Sequence, residues 1–282
     1  MISSLVKENF EVKQLCNVLD VSRSAFYGWQ SSSSSNTKRE HQRLKPLVYD
    51  IFKQHRRRYG ARRIVEDLRD LGETCSRSKV RKIMDEMQLV AIQPRSFKPR
   101  TTNSRHTLGY SPNLLLAGIA VSRINQVWVG DITYIPLQKQ FAYLAMLVDL
   151  FSRKIVGWAL EMSMDESLVL KTLKEAIRAR QPAPLLVHHT DRGGQYASTN
   201  YRLLLSRAQV QQSMSRAADC YDNAFMESCF GTIKTELEMN SYDNFEQANQ
   251  EITDYINYYN TLRRHSSIDY LTPTRFELNL KK

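Results

Sequence analysis

The sequence predicts an α/β protein, a mixed-sheet domain preceded by basic helical segments. Three observations carry this. From residue 126 onward, three apolar runs follow one another with short breaks: QVWVGDITYIPL, FAYLAMLVDL and RKIVGWALEM. Beyond them, helix and strand patterns alternate. Before them, as far as residue 92, the periodic segments are helical and rich in arginine.

Composition sets the frame. A chain of 282 residues, 42% hydrophobic and 24% charged, is long enough for two or three domains with a core of its own. It holds no 18-residue apolar run, so no membrane span is expected. The first residues, MISSLVKENFEVK, carry acids and lack an apolar h-region, unlike a signal peptide. Cys16, Cys75, Cys220 and Cys229 form no CxxC pair, which points to a reducing, cytoplasmic setting and away from a zinc finger. The net charge is +11 and is unevenly spread: residues 1–130 hold 23 basic and 11 acidic residues, the remainder 17 and 18. That split suggests a nucleic-acid-binding arm on a nearly neutral body.

In chain order, VKQLCNVLDVSRSAFYGW (12–29) reads as two short helices about a turn. Leu15, Val18 and Leu19 form an apolar face, Ser22 is a natural N-cap, and Asp20 stands where such turns often carry glycine. Residues 1–30 are thus a helix-turn-helix-like segment, with Arg23, Ser24 and Tyr27 facing DNA. The run SSSSSNTKRE opens a polar linker expected over 31–43. A second helical DNA-binding domain spans 44–92. Its IFKQHRRRYGARRI sets Arg56, Arg57, Arg58, Arg62 and Arg63 around a Tyr59–Gly60 break. CSRSKVRKIMDEM then reads as a helix capped by Ser76 or Ser78, with Val80, Ile83 and Met84 inward. Pro94, Pro99 and Pro112 suggest an extended linker over 93–122.

The sheet domain is expected over 123–240, followed by a C-terminal helical segment, 241–282. In its first strand Val127, Val129, Asp131, Thr133 and Ile135 share one face. Two further strands follow, then DESLVLKTLKEAIRAR as a helix with Asp165 near its cap. PLLVHHTD makes a fourth strand, STNYRLLLSRAQ a helix, QQSMS a short fifth strand, and DNAFMESCFGTIKTELEM a long helix capped by Asp222 or Asn223. Three antiparallel strands followed by alternating helix and strand are what an RNase H-like fold requires. Trp128 and Trp158 are expected in its core, and Asp149 as a turn cap.

The stretch LLVHHTDRGGQYAS (185–198) admits three readings: glycines that cradle a phosphate, histidines that bind zinc, or Asp191 as part of a carboxylate metal site. No GK[ST] follows the glycines. Adjacent strand histidines point to opposite faces, with no cysteine nearby. Asp131 lies within an apolar strand, costly for a charge unless it is paired or metal-bound. Glu227 and Lys234, seven residues apart, share one helix face. If the fourth strand pairs beside the first, Asp131 and Asp191 become neighbours, with the Glu227 helix across them. Three such carboxylates suit two Mg²⁺ ions serving a phosphodiester.

Asp131, Asp191 and Glu227, the last two separated by 35 residues, resemble the D,D(35)E triad of retroviral integrase-like transposases. WVGDITYIPL, LVHHTDRGGQYAS, SMSRAADCYDNAFMESCFGTIKTELE and YINYYNTLRRHSSIDYLTPTRFE are similar to the second-frame, OrfB-type protein of IS3-family insertion sequences, as are RRRYGARRI and LDVSRSAFYGW. The sequence departs at Ala217–Ala218, where a glycine is common, and at Ile268–Asp269, where Leu-Gly is common.

The resemblance implies a DDE transposase that cuts the 3′ ends of its element and joins them to DNA by direct transesterification. A same-strand bridge between the ends then leads to an excised circle. Asp131, Asp191 and Glu227 become the catalytic and metal residues, holding two Mg²⁺ ions for which Mn²⁺ can substitute. Partners implied are double-stranded element and target DNA, further copies of the chain in a synaptic complex, and an upstream-frame (OrfA-type) protein or fusion, on the bacterial nucleoid. DNA contacts are expected from Lys234 and Arg192, and from Arg263, Arg264 and His265 in YYNTLRRHSS, where packing of the C-terminal segment is the alternative. Of His188 and His189, one is expected to pack inside and the other to touch DNA or the surroundings of the metal. Competing functions are an RNase H-like structure-specific nuclease, which would cut without joining, and a DNA-binding regulator, which would need no triad.

Overall fold

The computed structural model describes residues 5, 10–30, 36–93, 110–215, 224–238 and 241–280. The chain divides into two compact units, Met1–Ala91 and Ile92–Lys282. At that boundary the basic excess is less one-sided than a cut at residue 130 implies. Residues 1–91 hold 18 bases and 11 acids, and 92–282 hold 22 and 18.

In the first unit, helices α1 (Val12–Val18) and α2 (Arg23–Gln30) meet about a turn. The Ala25 amide donates to Ser22 Oγ at 3.1 Å, the expected cap. Asp20 adopts a left-handed φ of 51°, the conformation glycine supplies elsewhere and one that Asp tolerates better than most residues. The buried side chains are Cys16 and Phe26, whereas Val18, expected inward, is 82% exposed. Two short helices have one narrow seam, and Cys16 fills it.

Helix α3 (Asn36–Gln54) begins inside the span expected to be linker, so residues 36–43 are helical. Their support is tertiary: His41 bonds Glu86 at 2.8 Å, Lys79 pairs with Glu40 at 2.6 Å, and Arg43 pairs with Glu73. Leu44, Val48, Ile51 and Phe52 pack with Ile64, Val65 and Leu68 of α4 (Ala61–Asp70) and Val80, Ile83 and Met84 of α5 (Arg77–Glu86). Ser76 is the cap of α5, accepting from Lys79 N at 3.2 Å. Between α3 and α4 the chain turns through Arg56 and Arg57, both at positive φ. Tyr59 is fully buried there, its ring stacked 3.6 Å from that of His55.

The second unit is a five-stranded sheet of order β3-β2-β1-β4-β5. Strands β1 (Val127–Pro136), β2 (Phe141–Asp149) and β3 (Ile155–Glu161) are antiparallel. Strands β4 (Val187–Thr190) and β5 (Gln211–Met214) join β1 in parallel, as expected for the RNase H-like order. Helices cover both faces. On one, Trp128 and Leu147 pack with Leu168 and Leu173 of α6 (Glu166–Arg180), with Tyr196 of the short α7 (Gly194–Ala197) and with Tyr201 of α8 (Thr199–Arg207). On the other, Val127, Val129 and Ile135 pack with Met226, Phe230 and Ile233 of α9 (Ala224–Glu236) and with Ile252, Tyr255 and Tyr259 of α10 (Phe245–Thr261). Asp165 caps α6 through Ser167 N at 2.9 Å. The proposed caps of α9, Asp222 and Asn223, lie outside the described residues.

Residues 110–122 are not a free linker. Leu114, Leu115, Ile119 and Val121 pack on the core, and Leu114 N donates to Ser213 Oγ at 2.9 Å. The apolar residues around Leu114 outweigh the proline signal. At the other end, helix α11 (Pro273–Asn279) is fastened through Glu277, which accepts from both Arg180 Nη atoms (2.7 and 2.8 Å), from Lys154 Nζ (3.1 Å) and from Ser152 Oγ (2.8 Å). Asp269, where a Leu-Gly pair is common in the resembled family, has φ 53° and so takes the glycine conformation itself.

Candidate active site

Strand β1 is the centre of the sheet, and Asp131 sits midway along it. Its neighbour Gly130 is obligatory on packing grounds: a Cβ there would come within 2.6 Å of Leu147 Cδ2 and 2.9 Å of His188 Cε1. Asp131 is half-buried, and its Oδ1 accepts from Ile132 N at 2.8 Å. Because β1 and β4 run parallel with Val129 opposite His189, position 191 follows alongside position 131. Asp191 is half-buried just past β4, its Oδ1 accepting from Gly193 N at 2.9 Å in an Asx turn.

Tyr196 is buried nearby, and burial first, then Tyr201 and the charges of Asp131 and Asp191, push its hydroxyl well above the ordinary phenol value. Lys234 joins them from α9: burial lowers its ammonium from the ordinary value, and the charge of Asp131 opposes that. Its Nζ stands 4.3 Å from the Tyr134 ring centroid, a cation–π contact.

Glu227 occupies the first turn of α9 on its exposed side, next to the fully buried Met226. Among the described residues, no three His, Cys, Asp or Glu side chains are grouped closely enough to hold a metal ion. Strand pairing thus sets positions 131 and 191 alongside one another and Lys234 lies near Asp131, while Glu227 is not grouped with two other such side chains.

The two histidines point to opposite faces and both are fully buried, so neither presents an exposed surface to DNA. His188 lies 2.7 Å from the Tyr201 hydroxyl and 3.3 Å from the Trp128 carbonyl, and burial lowers its pKa to about 4. His189 Nδ1 is 2.8 Å from Ser213 Oγ. Asp149 is a buried turn cap, accepting from Asn125 N (2.6 Å), Phe151 N (3.0 Å) and Ser152 N (2.9 Å).

The basic residues divide sharply. Arg23, Tyr27, Arg56, Arg57 and Arg62 are exposed. Arg58 and Arg63 are half-buried, Arg63 donating to the Arg58 carbonyl at 3.3 Å. Arg192 is half-buried, its Nε donating to Ser215 O at 2.7 Å and its guanidinium 4.5 Å from the Tyr110 ring.

Arg263, Arg264 and His265, expected to contact DNA, are instead buried. Arg263 donates through Nε (2.9 Å to Oε2) and Nη2 (2.8 Å to Oε1) to Glu236, the last residue of α9, itself only 7% exposed. Burial works against the Arg263 charge, and Glu236 more than offsets it, so the guanidinium is held above its ordinary value. Tyr255 donates its hydroxyl to Glu236 Oε2 at 2.9 Å, and Tyr259 meets Cys229 Sγ at 3.9 Å. Arg264 donates to the Tyr270 carbonyl at 3.1 Å. Tyr255, Tyr259 and Arg263 thus grip the inner face of the helix that carries Glu227 and Lys234. The four-residue spacing of Tyr255 and Tyr259 within α10 was the available signal for their shared face.

The comparisons agree with this architecture. Two family models, both described as "Integrase core domain", match residues 121–220 and 208–273, and an "HTH-like domain" matches 39–97. The transposase for insertion sequence element IS904 of Lactococcus lactis is 40% identical, covering 84% of this chain and 94% of that protein. An insertion element IS600 protein of Shigella sonnei is 38% identical over 93% of this chain and 97% of its own length. Transposase InsF for IS3A of Escherichia coli K12 is 35% identical over 95% and 94%. Among solved structures, a chain of the simian T-cell lymphotropic virus intasome aligns with TM-score 0.49 at 17% identity, covering 75% of this chain and 69% of that one. Likeness to these transposases runs through both units, with the helical model on the first and the integrase models on the sheet that gathers the two acids. The chain belongs to the IS3-family insertion-sequence transposases and is a DDE-type transposase, a polynucleotidyl transferase acting on DNA.

Proposed function

We propose that Asp131, Asp191 and Glu227 are the catalytic carboxylates of this transposase and that together they hold two Mg²⁺ ions, with Mn²⁺ able to substitute. The donor set fits such ions: hard carboxylate oxygens, with the nearby histidine nitrogens occupied inside the fold. When bound, the ions supply Lewis acidity to the scissile phosphodiester and a nucleophile at neutral pH. The chain's own residues orient the reactants. Asp131 and Asp191 are held by strand pairing and by the Asx turn at Gly193. Lys234 supplies a cation beside Asp131, suited to a phosphate of the element end.

The observation that carries this reading is the parallel pairing of β4 beside β1, which sets position 191 alongside position 131. The exposed Arg23, Tyr27, Arg56, Arg57 and Arg62 of the first unit, with Arg58 and Arg63 beside them, would bind double-stranded element and target DNA. Further copies of the chain and an upstream-frame protein complete the proposed synaptic complex, in the bacterial cytoplasm.

The test is Mg²⁺-dependent joining of pre-cut element ends to target DNA. Asp131→Ala, Asp191→Ala and Glu227→Ala should each abolish cleavage and joining while leaving DNA binding intact. Activity within tenfold of wild type for any one removes that residue from the site. Cleavage without joining by the unaltered protein would favour the nuclease reading.

A further inference from the structure

Helix α9 carries a glycine at position 231 that its own fold does not require. Glycine is a poorer helix former than alanine, because it loses more backbone freedom on folding. Two strand glycines of this unit have a packing reason. A Cβ on Gly130 would collide with Leu147 and His188, and one on Gly157 would lie 2.7 Å from both Ala176 Cβ and the Thr172 carbonyl oxygen. At Gly231 a Cβ would meet no heavy atom within 4 Å, and the residue's φ lies outside the left-handed range that favours glycine.

The position is the informative part. Gly231 is exposed, four residues after Glu227 and three before Lys234, so the three lie on one face of α9. The adjoining face, through Met226, Cys229, Phe230 and Ile233, is buried in the core. We propose that Gly231 is a positioning residue, kept bare so that the sugar–phosphate backbone of the element end can lie directly against α9 between Glu227 and Lys234. This rests on the reading of those two residues given above. The cation of Lys234 at one end of the bare strip matches an anionic backbone, and a missing side chain is what close approach to a helix surface requires.

The experiment uses the full-length protein with Gly231→Ala and Gly231→Leu. Affinity for a labelled double-stranded end fragment is measured without divalent metal, alongside thermal unfolding and Mg²⁺-dependent joining. Alanine should raise the unfolding midpoint by about 2–4 °C. It should nevertheless weaken end binding and joining by about tenfold, as expected when a contact worth roughly one decade is lost. Leucine should weaken both further. A more stable Gly231→Ala protein that binds and joins like wild type overturns the proposal. So does loss of joining with unchanged end affinity but an altered oligomeric state, which would assign the strip to a second copy of the chain. Glu227→Gln, measured in parallel, separates the two levels: it should bind the end and fail to join. If it joins normally, the catalytic reading fails, whatever Gly231 does to binding.

Discussion

Two arginine-rich stretches of similar texture do opposite work. In RRRYGARR the side chains of Arg56, Arg57 and Arg62 are exposed beyond a buried Tyr59. In YYNTLRRH, Arg263 is 5% exposed and locked onto Glu236. Both combine tyrosine with consecutive arginines, so composition alone does not separate them. The difference is a buried acid 27 residues upstream in the second case. Arg263 goes inside the fold because the carboxylate of Glu236 waits there.

The strongest way to break this contrast is Arg263→Ala. It strands Glu236 in the core, and a broken buried pair costs roughly 3–5 kcal/mol. Urea unfolding should register that loss, whereas Arg263→Met combined with Glu236→Leu should recover most of it. DNA affinity per folded molecule should not change. If affinity falls with stability intact, Arg263 belongs with the exposed arginines after all.

His188 sharpens the contrast, since it is a buried base held by the Tyr201 hydroxyl and the Trp128 carbonyl. Its pKa falls from 6.5 to about 4 through burial. The folded form stays neutral in that window while the unfolded chain takes up a proton below pH 6.5. Stability of the second unit should therefore drop as pH falls from 6.5 towards 4, by up to roughly 3 kcal/mol from this residue. Unfolding midpoints across that range, for wild type and His188→Gln, provide the check. Equal acid sensitivity in both would sink the assignment.

The smallest expected effect tests the exposed side. Arg56→Gln with Arg57→Gln should leave stability within about 0.5 kcal/mol. It should weaken DNA binding and lower the slope of log affinity against log salt by about 2, one for each lost phosphate contact. An unchanged salt slope would mean that these side chains face solvent only.

Much of the fold was legible because its signals are local. The apolar, β-branched run over 127–135, the apolar run at 141–149 and the capped helix after Asp165 each show within a short stretch of sequence. The acids were legible for the same reason, since a charge inside an apolar strand or at its end is conspicuous. What escaped depends on distant partners. Residues 36–43 sit beside a serine run and read as linker, yet contacts with Glu73, Lys79 and Glu86 hold them helical. Arg263 looked like a surface arginine because Glu236 lies on another helix. Asp20 and Asp269 departed from glycine without departing from its conformation, which only backbone angles reveal.

The passage of residues 111–114 along β5 has a consequence for solubility. β5 is the outermost strand of its sheet, only four residues long, and an open strand edge is a template for pairing with other chains. Here the rim is occupied: Met214 N donates to the Pro112 carbonyl at 3.2 Å, Ser111 Oγ to Gln212 at 2.9 Å, and Leu114 N to Ser213. A fragment beginning at residue 123, where the sheet pattern starts to read, would uncover that rim and invite self-association. One beginning near residue 110 keeps its own cover. This stretch near the start of the second unit thus covers the sheet's rim, and the unit begins well before its first strand.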